Sequence, residues 1–333
     1  MKITEGGGNA HEGEYITKVF LTEAEAHAFL ENDYPLSPPP MLYALLWWFE
    51  NKARKRTESK SVVPYKWKPK DVVPLKDFKF EPMPTSSRFV PLRMHFTLGT
   101  LTRTWDLALC DDSFAILLYN EDKKELVFTQ RFRPATLVGL ARHRSPPKTK
   151  LEDIDWASQP PEWAYTLEMC NGHHKRGSSA QEIEQRVREC VALKCGIGIS
   201  FSGDRQRVYY AKVNDSMKLK DWSQFEDMVP SGQKRSFDLV LRHSSVATLL
   251  YHTTQKKFVL VKQFRPAVLL AHILRQPENL NKKLSEVEWH KYDASHGYTV
   301  ELCAGLVDKN IPIVDIAKEE IEEECGYAWK YHV

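Results

Sequence analysis

Gly305-Leu306-Val307-Asp308-Lys309-Asn310-Ile311-Pro312-Ile313-Val314-Asp315-Ile316-Ala317-Lys318-Glu319-Glu320-Ile321-Glu322-Glu323-Glu324-Cys325-Gly326-Tyr327 is the stretch on which the reading of this chain turns. Five of the six residues from Glu319 to Glu324 are glutamates. The apolar positions Val314, Ile316, Ala317, Ile321 and Cys325 predict a helix over 314–325 with one face against a sheet. Gly326 is a natural left-handed stop for it. Carboxylates gathered at a helix C-terminus meet a macrodipole that is already negative. Like charges at i,i+3 and i,i+4 add about 0.2–0.5 kcal/mol of repulsion per pair. The pattern therefore asks for a cation. Glu320, Glu323 and Glu324 stand at i, i+3 and i+4, on one side of the helix. Three such carboxylates are hard oxygen donors suited to Mg²⁺ or Mn²⁺.

The flanks give the cluster a frame. Gly305 precedes Glu319 by fourteen residues, and Gly326 follows Glu324 by two. This spacing resembles the Nudix box: Gly, five residues, Glu, seven residues, then Arg-Glu-aliphatic-any-Glu-Glu-any-Gly-aliphatic. Two positions depart from it. Ile311 stands where the first Glu belongs, and Glu319 where Arg belongs. The carboxylates that hold metal in the family are present, and the pair that braces loop and helix is not.

A second pattern lies upstream. Shifted by 132 residues, Arg103–Leu137 matches Arg235–Leu269 without a gap at 16 of 35 positions. Phe132-Arg133-Pro134-Ala135 falls on Phe264-Arg265-Pro266-Ala267. The match resumes between Tyr165–Gly172 and Tyr298–Gly305, and ends with Cys195-Gly196 on Cys325-Gly326. A duplicated unit of about 130 residues, within the usual domain range, is the expectation. In the upstream unit Cys190, Leu193 and Lys194 take the places of Glu320, Glu323 and Glu324, within the run Glu189 to Gly196. The upstream copy is thus expected to keep the helix and its glycine stop but to have lost the site.

Within the downstream unit, Ser245–Tyr251 and Lys257–Gln263 are apolar runs around a polar turn, a hairpin signal. Tyr298–Cys303 reads as a further strand, and Phe264–Ala267 as the end of a strand. The run Val300-Glu301-Leu302-Cys303-Ala304-Gly305-Leu306-Val307-Asp308 and the Phe-Arg-Pro-Ala run narrow the likeness. They resemble the UDP-sugar diphosphatase group of the Nudix hydrolases, strongly over about residues 233–327 and more weakly over about 95–213. The resemblance implies an α/β fold of two tandem Nudix-like α/β/α sandwich domains with mixed sheets. It also implies Mg²⁺-dependent hydrolysis of a UDP-sugar to UMP and a sugar 1-phosphate, by a cytoplasmic homodimer or an internal pseudo-dimer of the two copies. Glu320, Glu323 and Glu324 would hold the metal together with the carbonyl of Ala304 or Gly305. Glu301 would be a supporting acid, and Arg265 and Gln263 substrate contacts. For Arg265 an ion pair that fixes its strand is the alternative role. An ADP-ribose or ADP-sugar substrate, and a catalytically silent nucleotide-sugar binding protein, remain alternatives.

The remainder of the chain sets boundaries. Residues 1–90 read as an extension and linker, 91–230 as the degenerate copy, and 231–333 as the acidic one. The acidic copy runs only seven residues past Gly326 and is expected to lack its closing strands, leaving a bare sheet edge. A helix is predicted over 41–55, and Glu58–Pro84, rich in Lys and Pro, reads as a linker. The net charge of +3 is too small to argue for a nucleic-acid partner. The longest apolar run, Met41–Phe49, is too short to span a bilayer as a helix. The six cysteines form no CxxC pair and no zinc spacing, so buried, reduced thiols are expected.

Overall fold

The computed structural model describes residues 6–8, 16–31, 39–53, 79–86, 88–98, 100–146, 148–174, 192–196, 204–217 and 236–328, with single positions at 68, 69, 72 and 202. The boundary expected near residue 230, and most of the expected linker, lie outside them. In chain order the elements begin with strand β1 (Ile16–Thr22) and helices α1 (Glu23–Leu30) and α2 (Pro39–Trp48). The upstream half follows with β2 (Phe89–Leu98), β3 (Leu101–Cys110), β4 (Asp112–Asn120), β5 (Glu125–Val127) and β6 (Thr129–Phe132). It continues with α3 (Pro134–Arg144), β7 (Tyr165–Glu168), β8 (Cys170–His174), β9 (Ala192–Gly196) and β10 (Arg205–Val213). The downstream half has β11 (Ser245–Thr248), β12 (Leu250–His252), β13 (Lys257–Phe264) and α4 (Pro266–Leu274). It closes with β14 (Tyr298–Glu301), β15 (Cys303–Leu306) and α5 (Ile313–Cys325). The mixture is α/β, as the pattern implied.

The downstream core is organised by β13. Its middle residues, Phe258 to Val261, are all buried, as in a strand covered on both faces. Val259 and Val261 share a cluster with Ile16, Cys303, Ile321 and Cys325, which puts α5 on one face. Phe258 and Leu260 share another with Ala26, Met41 and Leu45, which puts α1 and α2 on the other. Each Val, Leu, Ile, Phe or Met among them contributes about 1.5–3 kcal/mol by leaving water. The result is a helix–sheet–helix layering, with α5 on one side and the helices of the N-terminal extension on the other.

The extension also supplies a strand. β1 runs antiparallel along β13, from Ile16 opposite Gln263 to Thr22 opposite Lys257, while β12 and β14 occupy the other edge. That edge of β13 is thus covered by residues that show no repeat. Thr22 then caps α1 in a reciprocal box with Glu25.

Four expectations change in detail. The apolar run Ser245–Tyr251 is two strands: β11 pairs β15, and β12 makes the hairpin with β13. The Phe-Arg-Pro-Ala run does not continue as a strand. β6 and β13 stop at Phe132 and Phe264, and Pro134 and Pro266 open α3 and α4, because a proline at the first helical turn forfeits no hydrogen bond. The predicted 41–55 helix is α-helical over Pro39–Trp48 and passes into a π-turn over Phe49–Ala53. In the upstream half, residues 192–196 are not the end of a helix. They form β9, antiparallel to β10 with Gly196 opposite Arg205. The edge of β10 offers these residues a backbone ladder. Residues 189–191 of the expected helix lie outside the described residues.

The upstream sheet runs β5-β4-β10-β9, with β8 also on β4; β10 lies parallel to β4, which makes the sheet mixed. The two halves touch. Leu107 of β3 shares a core cluster with Ala267, Leu270, Ile273 and Leu274 of α4. Arg275 donates from Nε to Oδ2 of Asp112 at 2.9 Å and from Nη2 to Oδ1 at 2.5 Å, and both side chains are almost fully buried. Among the described residues no helix is long and apolar enough to cross a membrane.

Candidate functional site

The site is built where α5 lies on β15. Its helix carries Ile316, Ala317, Ile321, Glu324 and Cys325 inward. Glu324 is a buried carboxylate, 2% exposed, and its Oε2 accepts the Ala304 N–H at 3.0 Å. One turn earlier Glu320 presses on the next residue of β15. A methyl group built at Gly305 would stand 1.7 Å from Oε1 of Glu320 and 2.0 Å from its Cδ. Gly305 is therefore required by close approach rather than by a turn. Glu323 is exposed beside them. Glu320 and Glu324 thus both sit against the Ala304–Gly305 backbone that the sequence reading named with them. Among the described residues, no three Asp, Glu, His or Cys side chains are gathered closely enough to form a cation cage. The donor set is nonetheless all hard oxygen, on one helix face and at one strand end, which fits a divalent cation of the Mg²⁺ kind.

Arg265, Glu301 and Gln263 lie in the adjoining strands. Arg265 donates from Nε to Oε1 of Glu301 at 2.8 Å and from Nη2 to Oε2 at 2.7 Å. The pair is 16% and 8% exposed, so it is a buried bidentate bridge. Thr299 donates its hydroxyl to Oε1 of the same carboxylate. Of the two roles weighed for Arg265, the ion pair that fixes the strand is the one formed. Gln263 is buried, opposite Thr299 in the β13–β14 ladder and Ile16 in the β1 ladder. The upstream half repeats the bridge: Arg133 donates to Glu168 at 2.8 and 2.7 Å, and Thr166 donates to Glu168 at 2.6 Å. The Arg133 guanidinium holds the Glu168 carboxyl down at about 2, with Thr166 and Asn171 helping against the cost of burial.

The two departures from the box are also resolved. Ile311 is exposed, while Glu319 takes Lys309 at 2.5 Å. Lys309 and Glu319 tie the loop to the helix with the charges exchanged relative to the family's brace and the loop partner two residues earlier. Both are about half exposed, so the tie is weak, about 0.2–1 kcal/mol.

The end of α5 shows what the sequence reading missed. Gly326 is left-handed, with φ 69°, and its N–H donates to the Glu322 carbonyl at 2.9 Å. The next three carbonyls are met from the N-terminus. Gly8 N–H donates to Glu323 O at 3.1 Å, Gly7 N–H to Glu324 O at 3.0 Å, and the Lys18 ammonium to Cys325 O at 3.1 Å. Lys18 also stands 5.5 Å above the Tyr327 ring. A cation is therefore present at this helix end, on its backbone, where it contributes about 0.3–1 kcal/mol against the macrodipole. The run Gly6-Gly7-Gly8 was the available signal, since three successive glycines free the chain to take left-handed conformations.

Cys303 and Cys325 are buried, free thiols in one cluster. The Cys303 thiol is pushed up by its hydrogen bond to Cys325, by burial and by the charge of Glu324, which marks a packed neutral side chain rather than a nucleophile.

The chain is 36% identical over 109 residues to the uridine diphosphate glucose pyrophosphatase of Mus musculus, which covers 29% of this chain and 46% of that protein. The chain resembles a Nudix hydrolase. The corresponding protein of Bos taurus is 36% identical over 105 residues, with the same shares. The chain thus spans about half the length of the curated relatives it matches. No family profile matches it.

Proposed function

We propose that the protein is a divalent-metal-dependent diphosphatase acting on nucleoside diphosphate sugars, UDP-glucose first among them, with one site in the downstream half. The observation that carries this reading is the seating of Glu320 and Glu324 on Ala304–Gly305, with Glu323 exposed beside them. A divalent cation held by Glu320, Glu323 and Glu324, with a carbonyl of Ala304 or Gly305, would supply charge neutralisation for the diphosphate and activation of a water. The chain's own residues do the rest. The Ala304 N–H fixes one oxygen of Glu324, which orients the carboxylate on the strand end. The Arg265–Glu301 bridge locks β13 to β14, keeping β15 in place for α5 to lie on.

The upstream half is read as a degenerate second domain without a site, since Lys194 and Leu193 stand in β9 where the site would need carboxylates. The shared core at Leu107 and α4 and the Asp112–Arg275 bridge support an internal pseudo-dimer of the two halves. A second reading, a silent nucleotide-sugar binding protein, is favoured by one observation: no three-carboxylate cage is formed among the described residues. Incubation of the purified protein with UDP-glucose and Mg²⁺, followed by chromatography for UMP and glucose 1-phosphate, decides between them. UMP release supports the diphosphatase. UDP-glucose binding without UMP leaves the silent reading, and ADP-ribose in the same assay tests base selectivity.

A further inference from the structure

We propose that Gly6, Gly7, Gly8 and Lys18 are positioning residues for the metal-binding face of α5, so that the N-terminal extension is a working part of the site. The inference rests on Glu323 and Glu324 being cation ligands, as proposed above.

A helix leaves its last carbonyls without partners inside the helix. Here Gly326 closes Glu322, and the remaining positions are closed from three hundred residues away in sequence. The two carbonyls taken by Gly7 and Gly8 belong to Glu324 and Glu323, the candidate ligands themselves. The third, Cys325, follows them directly and is taken by Lys18. Two of these bonds hold the main chain that carries a ligand side chain, the third holds the residue that follows, and all three come from outside the helix.

The fit leaves no room for variation. Gly6, Gly7 and Gly8 have φ of +67°, +126° and +83°. A methyl group at Gly6 would meet Glu324 O at 2.5 Å, Cys325 C at 2.7 Å and Gly326 N at 2.8 Å, all backbone atoms that cannot turn aside. Gly6 lies flat on the helix end because nothing larger would, while at Gly7 the left-handed backbone rather than the space asks for glycine. Gly7 O then accepts from Ile16 N at 3.0 Å, which ties the run to the first residue of β1. From there β1 is registered on β13, and Lys18 on β1 reaches Cys325. The extension therefore sets the last turn of α5 relative to the sheet, and with it the positions of Glu323 and Glu324 relative to Ala304–Gly305.

The test uses the full-length protein and two readouts: Mn²⁺ affinity by loss of the free-ion electron paramagnetic resonance signal, and the Mg²⁺ dependence of UDP-glucose hydrolysis. Gly6→Ala and Lys18→Met should each weaken Mn²⁺ binding and raise the half-activating Mg²⁺ concentration by about 10-fold, the lower range for supports of metal ligands. Turnover at saturating Mg²⁺ should stay close to that of the parent. Lys18→Arg should restore most of the loss, and Gly139→Ala, where a methyl meets nothing within 4 Å, should be silent. Variants that melt earlier but bind Mn²⁺ as the parent does would overturn the inference and leave the proposed function standing. A parent protein that takes up no Mn²⁺ would overturn both.

Discussion

The two halves of this chain agree where the backbone is braced and part where charge is presented. Arg133–Glu168 and Arg265–Glu301 are the same bridge with the same two distances, each with a threonine on the carboxylate. Further along the chain, the upstream half is strand β9 and the downstream half is the acidic end of α5. The bridge belongs to the framework and persists without a site. Among the described residues the acidic helix end belongs to the downstream half, where it is held by Lys309 at Glu319, Lys18 at Cys325, and the glycine run on Glu323 and Glu324.

The comparison is broken most sharply by charge removal. Glu323→Gln should lower Mg²⁺-dependent turnover by about 100-fold or more, the scale on which charge stabilisation acts in such sites. Lys194→Ala in β9 should leave it unchanged, as steady-state rates with UDP-glucose will show. Equal losses would place function in both halves.

The bridges come next. Arg265→Ala strands a buried carboxylate and should destabilise by about 3–5 kcal/mol in urea unfolding. Arg133→Ala should cost clearly less, because Arg133 is 41% exposed where Arg265 is 16%. The twin glycines sharpen the contrast further. Gly305→Ala displaces the Glu320 carboxylate, a flexible side-chain end, and should lower Mn²⁺ affinity with little loss of stability. At Gly172 the nearest atom is Cζ of the Phe114 ring at 2.7 Å, a side chain that can shift, so Gly172→Ala should leave Mn²⁺ titrations unaltered.

The smallest effect is a pH dependence. Glu168 has its carboxyl depressed from 4.5 to about 2, first by Arg133. A depressed acid stabilises the fold above its unfolded value and loses that contribution as pH falls. The stability gap between the parent and Glu168→Gln should therefore be full above pH 4.5 and close between 4.5 and about 2, in denaturant melts taken across that window. The half-exposed partner keeps the gap small.

Much of this was legible in the residues. The apolar spacing placed α5 to within one residue, with Ile313 rather than Val314 as its first, and Gly326 ended it as expected. The hairpin of β12 and β13 followed from two apolar runs around a polar turn. Pro134 and Pro266 were misread because the residues before them are extended, which hid the helices that the prolines begin. The strand β9 was misread because a glycine after an apolar run ends a strand as readily as a helix, and only the presence of β10 decides which.

By itself the sequence determined the acidic face, its glycine frame and the internal likeness of the two halves, since each is a matter of residue type at short fixed spacing. Tertiary structure alone decided what completes that face. β1, Lys18 and Gly6–Gly8 show no periodicity that points three hundred residues ahead. Their role exists only because an uncovered strand edge and a helix end with open carbonyls are brought to them by the fold.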